Sequence, residues 1–178
     1  MKSLTAWSAW DQLLTRVPVK SGDFFDVPAG TIHAIGKGIM ILETQQSSDT
    51  TYRVYDFERT DDNGQKRELH LAKSIEVATI GPAQNSTPAS LQFPGFTSTL
   101  LVSNPFFTVY KWDIAEQVTM SRTADYLLVS VLDGQGQLIL EEQTYQVKKG
   151  DHFILPNDVI NWTVEGRLTM IVSHPNPA

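Results

Sequence analysis

A histidine at the end of a segment punctuated by glycine and proline is the first residue whose setting suggests chemistry. The segment reads Gly22, five residues, Pro28, Ala29, Gly30, two residues and His33. Gly30 permits a tight turn, and His33 then enters the next strand, where a neutral imidazole is a good metal ligand. A lone histidine is more often a core residue hydrogen-bonded to the backbone, and zinc needs three or four ligands. His33 taken alone therefore leaves both roles open.

Glu43 and Arg53 form a second candidate pair. Strict alternation places Glu43 on one strand face with Ile39 and Ile41, and a carboxylate on an otherwise apolar face is informative. A hairpin that turns at residues 47–49 sets Glu43 opposite Arg53. The pair is then either a weak cross-strand ion pair or an acid/base carboxylate beside a guanidinium that binds an anionic or hydroxyl-rich ligand. The residues themselves leave both roles open.

The other residues with reactive side chains are expected to be structural. The mixed-charge stretch from Asp56 to Glu68 is typical of a solvated hairpin face. Trp112 and Trp162 are expected in the core or at the rim of a barrel. The remaining histidines, which we expect to be structural or exposed, are His70, His152 and His174.

Composition limits the class of protein. The chain has 178 residues, with 14 Lys and Arg against 20 Asp and Glu, which gives a formal net charge of −6. This acidic balance disfavours nucleic-acid binding, and the absence of cysteine restricts a metal site to histidines, carboxylates or amides. No apolar run is long enough to span a membrane, and no secretory signal is visible. We therefore expect a cytoplasmic protein.

Short β-strands dominate the pattern after an initial helix. Apolar residues recur at helical spacing over residues 3–16, and Pro18 ends that helix. Residues 72–79 are a second helix candidate, and Asn63-Gly64 predicts a hairpin turn, because both central positions of such a turn need positive φ. Strands are predicted at 24–28, 32–35, 39–46, 51–58, 66–71, 98–103, 106–114, 126–132, 137–141, 144–148, 152–155, 160–164 and 167–173. So many short strands between turns predict an all-β sandwich or barrel.

One segment of the chain is repeated at an offset of 128 residues. Residues 19–33 and 147–161 share seven identities at this offset. Repeated units imply two copies of one architecture. We therefore predict that residues 1–80 form part of one barrel, that 81–90 are a linker, and that 91–178 form a complete second barrel.

The first copy resembles the second signature motif of the cupin superfamily, whose fold is a jelly-roll barrel. The resemblance rests on the residues from Gly22 to His33, and it shifts the balance for His33 toward a metal ligand. The second copy has Asp158 and Asn161 where the motif has its last glycine and its histidine. That copy resembles a cupin domain that has no metal.

Longer stretches resemble one family of cupins, the type I mannose-6-phosphate isomerases of the short bacterial kind. The stretches are residues 17–36, 41–56, 111–113, 150–156 and 171–174. The resemblance implies an all-β fold with a partial first cupin barrel, a complete second cupin barrel and a short N-terminal helix. It also implies a zinc-dependent interconversion of mannose 6-phosphate and fructose 6-phosphate, in which a proton moves between C1 and C2 through an enediol.

The resemblance implies roles for four residues. His33 matches the zinc ligand nearest the C-terminus, and Arg53 matches an active-site arginine. Glu43 and Asp49 match carboxylates that line the sugar pocket, so Asp49 is expected to bind substrate. We expect Glu43 to be the acid/base that acts with Arg53, because a partly buried carboxylate can have its pKa raised toward neutrality.

The sequence departs from this family in its first part. Family members are longer, and they carry a Gln-x-His-Pro stretch and a glutamate that complete the zinc site; neither is present in this chain. We therefore expect the C-terminal portion of such an enzyme, with a site for one Zn²⁺ that is incomplete here. An open first barrel would expose strand edges, which favours self-association or a cover formed by the 3–16 helix.

Two other functions stay open at this point. A non-catalytic cupin module would bind a sugar or mediate association without turnover. Another metal cupin, such as an oxygenase, would need two histidines and a carboxylate, and only one histidine of this chain lies in a motif. Metal content and phosphosugar turnover distinguish the three functions.

Overall fold

Antiparallel strands make up most of the second half of the chain. The computed structural model describes residues 12–81 and 87–176, and within them eight strands follow the helix α1 (Leu71–Val77). The strands are β1 (Ala89–Phe93), β2 (Phe96–Ser103), β3 (Phe107–Ile114), β4 (Gln117–Ser121), β5 (Leu127–Leu140), β6 (Gln143–Lys148), β7 (His152–Leu155) and β8 (Asn161–Pro175). The predicted all-β class is confirmed.

The described residues divide into two compact units. The first unit comprises residues 12–42 and 47–81, and the second comprises residues 43–46 and 87–176. All eight strands belong to the second unit. Part of the predicted linker 81–90 lies outside the described residues, and β1 begins before the linker ends.

The eight strands form one hydrogen-bonded sheet whose centre is the pair of long strands β5 and β8. The order along the sheet is β1-β2-β3-β8-β5-β6, with β4 paired to β8 and β7 paired to β5. The β5–β8 register runs from Leu128 opposite Ser173 to Ile139 opposite Thr163. Every strand except β1 and β2 therefore is, or pairs directly with, one of these two strands.

β5 and β8 are each continuous where the sequence predicts two strands separated by a turn. Glycines suggest turns at these places, but their role is to let two backbones approach each other. A Cβ on Gly134 would lie 1.9 Å from the carbonyl oxygen of Arg167, and one on Gly136 would lie 2.2 Å from that of Glu165. The same residue type marks a turn or a close strand contact, and the local pattern does not distinguish them.

The sequence patterns also miss two strands, β1 and β4. Each has five residues, and most of their side chains are exposed. Apolar and polar residues do alternate in both strands, but each run is only five residues long and buries little, so the pattern is a weak signal.

The core of the second unit consists of alternate side chains of β8 packed against those of β5 and β3. The largest set comes from β8, where five side chains are at most 3% exposed: Trp162, Val164, Leu168, Met170 and Val172. Alternation is the geometry that a strand imposes, because successive side chains point to opposite faces. Trp112 on β3 is also buried, so both tryptophans are core residues as the sequence predicts.

The strands predicted between residues 24 and 71 are wrong. Within residues 12–81 the structure has one isolated bridge, Thr60 with Lys66, and no strand. Alternating apolar residues indicate which face of a segment is apolar, but a strand also needs a neighbour whose N–H and C=O groups complete the ladder. Apolar side chains of these segments are accordingly exposed, and Ile35 and Ile41 are each 50% exposed.

The two predicted helices have different outcomes. α1 confirms the candidate at 72–79, although it begins one residue earlier and ends two residues earlier. Most of the helix predicted over 3–16 lies outside the described residues. In the part that the structure describes, Gln12 and Leu13 are helical.

Replacing Leu127 by alanine tests the position of the core. Its side chain is 2% exposed at the start of β5, whereas the adjacent Leu128 points to the opposite face and is 42% exposed. We expect Leu127→Ala to lower the free energy of unfolding by about 2–5 kcal/mol, because it removes buried methyl groups and leaves a cavity. Leu128→Ala is the matched control and should cost less than about 1 kcal/mol. Urea denaturation measures both changes, and equal losses would contradict this core.

Candidate functional site

The segment that leads to His33 begins with a tight turn stabilised by an aspartate. The backbone N–H of Lys20 donates to Asp23 Oδ2 at 2.9 Å, and the Asp23 N–H donates to the Lys20 carbonyl at 3.2 Å. Gly22 has φ 91°, in the left-handed region that favours glycine. The Gly-Asp pair therefore has a structural role, which is to reverse the chain before the segment that carries the histidine.

The repeated segment forms the same turn. The Lys148 N–H donates to Asp151 Oδ2 at 2.8 Å, the Asp151 N–H donates to the Lys148 carbonyl at 3.0 Å, and Gly150 has φ 92°. A second turn also recurs, since Thr31 N–H to the Pro28 carbonyl and Val159 N–H to the Pro156 carbonyl are both 3.1 Å. The sequence repeat is therefore also a repeat of backbone geometry.

His33 is exposed, and one of its ring nitrogens already has a partner. His33 Nδ1 lies 2.9 Å from the carbonyl oxygen of Thr31. Because a carbonyl only accepts, this contact fixes the proton on Nδ1 and leaves the Nε2 lone pair for a ligand. Metal-binding histidines commonly donate their other ring N–H to a backbone carbonyl in this way, which fixes the orientation of the ring. In the repeat, Asn161 takes this position, and its Oδ1 accepts from Ser121 Oγ at 2.8 Å.

A complete metal centre is not formed by the described residues. Across residues 12–81 and 87–176, no three His, Cys, Asp or Glu side chains lie close enough to hold one ion. Zinc sites take three or four protein ligands. The donor set of this structure thus fits one zinc ligand, His33, and does not fit a whole zinc site.

Gly30 connects the His33 segment to the end of α1. Its carbonyl accepts the N–H of Thr79 at 3.0 Å. A Cβ at Gly30 would lie 2.7 Å from both Thr79 Oγ1 and the carbonyl oxygen of Val77, and its φ is 86°. Only glycine satisfies both the conformation and the space, so this contact holds the turn that precedes His33.

Arg53 is held by its backbone and by its guanidinium. Its N–H donates to His70 Nδ1 at 3.1 Å, and its carbonyl accepts the His70 N–H at 2.7 Å. Its Nη1 donates to the Glu68 carbonyl at 3.3 Å, and its Nε lies 3.9 Å from Asp56 Oδ1. Because the backbone N–H donates into Nδ1, the His70 ring carries its proton on Nε2. His70 thus has a structural role, as the sequence predicts.

Asp56 is a buried carboxylate surrounded by arginines. Arg67 engages it with two nitrogens, Nε at 2.7 Å from Oδ2 and Nη2 on Oδ1, and Arg59 Nη2 lies 2.6 Å from Oδ1. The Asp56 side chain is 7% exposed, compared with 49% for Arg67 and 61% for Arg59. The hydrogen bonds from Arg67 lower the pKa of Asp56 to about 2, against the opposing effect of burial and with further help from Arg59. The carboxylate therefore stays ionised well into the acid range.

The solvated hairpin face predicted over Asp56 to Glu68 is wrong at its first residue. A chain reversal is present at the predicted place, but positive φ occurs at Gly64 and not at Asn63, so the turn is of a different type from the one predicted. Gly64 has φ 75°, its N–H donates to the Asp61 carbonyl at 2.9 Å, and Asp61 Oδ1 accepts the N–H groups of Asn63 and Gln65. The register shifts by three residues between the Thr60–Lys66 bridge and the Asp56–Arg67 pair, and Phe57 and Glu58 have positive φ in this interval. The turn and the opposite charges on its two arms were a signal that arginines could reach Asp56, but the turn alone does not identify Arg67 as the partner.

The predicted Glu43–Arg53 register is wrong. No ladder joins residues 39–46 to 51–58 in the described part of the chain, so a hairpin does not set the two residues opposite each other. Arg53 forms its ion pair with Asp56 instead. Glu43 and Asp49 are both exposed, so the partial burial expected for Glu43 is also wrong.

Comparison with known proteins identifies relatives along nearly the whole chain. A family model described as mannose-6-phosphate isomerase, cupin domain, matches residues 97–175. The chain is 60% identical over 176 residues to a mannose-6-phosphate isomerase of Streptococcus mutans, which covers 99% of this chain and 56% of that protein. It is 48% identical over 166 residues to the mannose-6-phosphate isomerase ManA of Bacillus subtilis, with 93% and 53% covered.

A solved structure gives the same result for the fold. The crystal structure of mannose 6-phosphate isomerase from Bacillus subtilis matches with a TM-score of 0.90 and 44% identity, over 96% of this chain and 55% of that one. The expected cupin fold is thereby confirmed. The chain spans about half the length of the relatives that it matches. Among the described residues, no helix is long and apolar enough to cross a membrane.

Alanine at Gly30 tests whether the close contact with residues 77–79 holds the His33 segment. Gly22 is a matched control, because its φ is also positive but nothing lies within 4 Å of an added Cβ. We expect Gly22→Ala to cost about 1–2 kcal/mol from backbone strain alone and Gly30→Ala to cost about 1–3 kcal/mol more from overpacking. Chemical denaturation measures the difference, and equal costs would show that the contact is not limiting.

The pH dependence of stability tests the Asp56 ion pairs. Because the pKa of Asp56 falls from 3.8 to about 2 on folding, the carboxylate stabilises the protein above about pH 4, and this contribution is lost as the pH falls toward 2. Asp56→Asn should therefore lower the melting temperature by several degrees at neutral pH and by much less near pH 2. The exposed Asp62→Asn is the control. A calorimetric difference that did not change with pH would contradict the assignment.

Proposed function

Because this chain is 60% identical to a mannose-6-phosphate isomerase over 56% of that protein, we propose that it belongs to the mannose-6-phosphate isomerase family and serves in the interconversion of mannose 6-phosphate and fructose 6-phosphate. The observation that carries the proposal is the 60% identity over 99% of the chain to a mannose-6-phosphate isomerase, a span that includes His33, Asp49 and Arg53. The chain spans about half of that relative, so the activity of the whole enzyme is a proposal for this chain. We place the protein in the cytoplasm on the same basis.

The reaction moves one proton between two adjacent carbons. A base removes the proton from C2 of the open-chain aldose while the C1 oxygen gains a proton, which gives an enediol. Return of a proton to C1 and loss of the proton on the C2 oxygen then give the ketose. Negative charge develops on oxygen during both transfers, so fixed cationic donors lower the barrier.

Arg53 is the proposed catalytic cation of this chain. Its side chain is 24% exposed, and the contacts with Glu68 and Asp56 restrict the orientation of the guanidinium. A guanidinium held in this way stabilises an oxyanion without reorganising during the reaction. Asp49 is proposed to bind the substrate, because an exposed carboxylate can accept hydrogen bonds from sugar hydroxyls. Glu43 is proposed as the acid/base, and because it is exposed this role rests on the family resemblance alone.

His33 is proposed as one ligand of a single Zn²⁺. The Nδ1 contact with the Thr31 carbonyl supports this role, because it leaves Nε2 as the metal-binding nitrogen. The remaining ligands would come from outside the described residues. When bound, zinc would polarise the substrate carbonyl. The domain at 91–178 is proposed to carry no metal, since Asn161 replaces the histidine and is hydrogen-bonded to Ser121.

Zinc content and isomerase activity of the purified chain test the proposal directly. Because the described residues supply one zinc ligand, we expect the purified chain to bind less than one zinc after incubation with Zn²⁺. That zinc, and any turnover of mannose 6-phosphate, should depend on His33, so His33→Ala should remove the bound zinc and lower kcat/KM by at least ~100-fold. The control is His152→Ala, which removes a histidine paired with Ser130 Oγ and should leave both unchanged. If the chain binds the phosphosugar but neither binds zinc nor turns over, the isomerase proposal is wrong and the chain is a non-catalytic sugar-binding module.

A further inference from the structure

We propose that Asp56 is a positioning residue for the proposed reaction, whose buried carboxylate fixes the hairpin that holds the guanidinium of Arg53. The proposal rests on the proposed role of Arg53 as the catalytic cation. The hydrogen-bond and ion-pair partners of this carboxylate among the described residues are Arg53, Arg59 and Arg67, so we expect it to act through Arg53.

The first support is the register of the two arms of the hairpin. Arg53 faces His70 through two backbone-mediated hydrogen bonds, and Asp56 faces Arg67 through a two-pronged ion pair. Asp56 follows Arg53 by three residues on one arm, and Arg67 precedes His70 by three residues on the other arm. Both contacts therefore belong to one antiparallel register. The ion pair of Asp56 thus closes the same ribbon that holds the backbone of Arg53.

The second support is the direct contact between the two side chains. Arg53 Nε lies 3.9 Å from Asp56 Oδ1, and Nη1 donates to the Glu68 carbonyl at 3.3 Å. A fixed negative charge on one edge and a carbonyl on another limit rotation of the guanidinium. The Nη2 group has no partner among the described residues and is the donor left for a substrate oxygen.

The third support is the cost of leaving Asp56 without partners. A buried carboxylate is tolerated only when it is paired and hydrogen-bonded, and here Arg67 and Arg59 supply those bonds. The lowered pKa of Asp56 is consistent with a carboxylate that is ionised whenever the hairpin is formed. Exposed ion pairs such as Lys66 with Glu58, in the same hairpin, contribute little order.

The order of the Arg53 side chain is the direct test, measured by NMR relaxation on the full chain with isotope-labelled arginine. In the wild type we expect an order parameter of about 0.8 for Arg53 Nε–H, and in Asp56→Asn a value below about 0.6. Glu58→Gln is the matched control, since it breaks the exposed pair in the same hairpin and should leave the value unchanged. Asp56→Glu should restore part of the order. An unchanged Arg53 signal in a folded Asp56→Asn protein would overturn the proposal.

Two further readouts separate this proposal from its alternatives. If Asp56→Asn does not fold, Arg67→Lys keeps the charge but loses the bidentate geometry, and it should lower the Arg53 order parameter in a folded protein; an unchanged value would overturn the proposal. Fructose 6-phosphate added to the wild type should shift the Arg53 signal. No shift would overturn the proposed role of Arg53 in the reaction, whereas the order parameters would still decide whether Asp56 positions it.

Steady-state kinetics apply if the chain turns over mannose 6-phosphate. Asp56→Asn should then lower kcat about tenfold or more, with a smaller change in KM.

Discussion

The pairing of β5 with β8 is the interaction on which the second unit depends. These two strands hydrogen-bond along most of their length, and β3, β4, β6 and β7 each pair with one of them. Glycines at 134, 136 and 166 keep the two backbones close enough for this pairing. The core follows from it, because alternate side chains of both strands then point to one face and bury the apolar residues together.

The repeated segment shows how far such a partner decides local structure. In the second copy, residues 152–155 become β7 because Leu127 to Ser130 of β5 offer hydrogen bonds. In the first copy, residues 24–27 follow an equivalent turn but form no strand in the described part of the chain. Leu155 is 4% exposed, whereas Val27 at the equivalent position is 43% exposed. Sequence determines the turn, and a neighbouring strand determines whether a β-strand follows.

This difference explains what could be predicted from the sequence. Turns were predictable, because Asn63-Gly64 and the Gly-Asp pairs act through local conformational preference alone. Six of the eight strands of the second unit were predicted at least in part, because each has a hydrogen-bonding partner within that unit, whereas β1 and β4 were missed. The strands predicted in the first unit were wrong, because an alternating pattern indicates which face of a segment is apolar and does not indicate whether a neighbouring strand is present. The Glu43–Arg53 register failed for the same reason.

The candidate site shows a second limit, which concerns charge rather than pairing. His33 was found through a motif, but Asp56 was assigned to a solvated face because it begins a stretch rich in charged residues of both signs. Its burial comes from residues that are distant along the chain, since Arg67 returns beside it only after the hairpin turn. A run of mixed charges can therefore contain one buried member whenever a turn brings arginines to it. That member determines how the run is folded, and in this chain it lies three residues from the arginine to which we assign the chemistry.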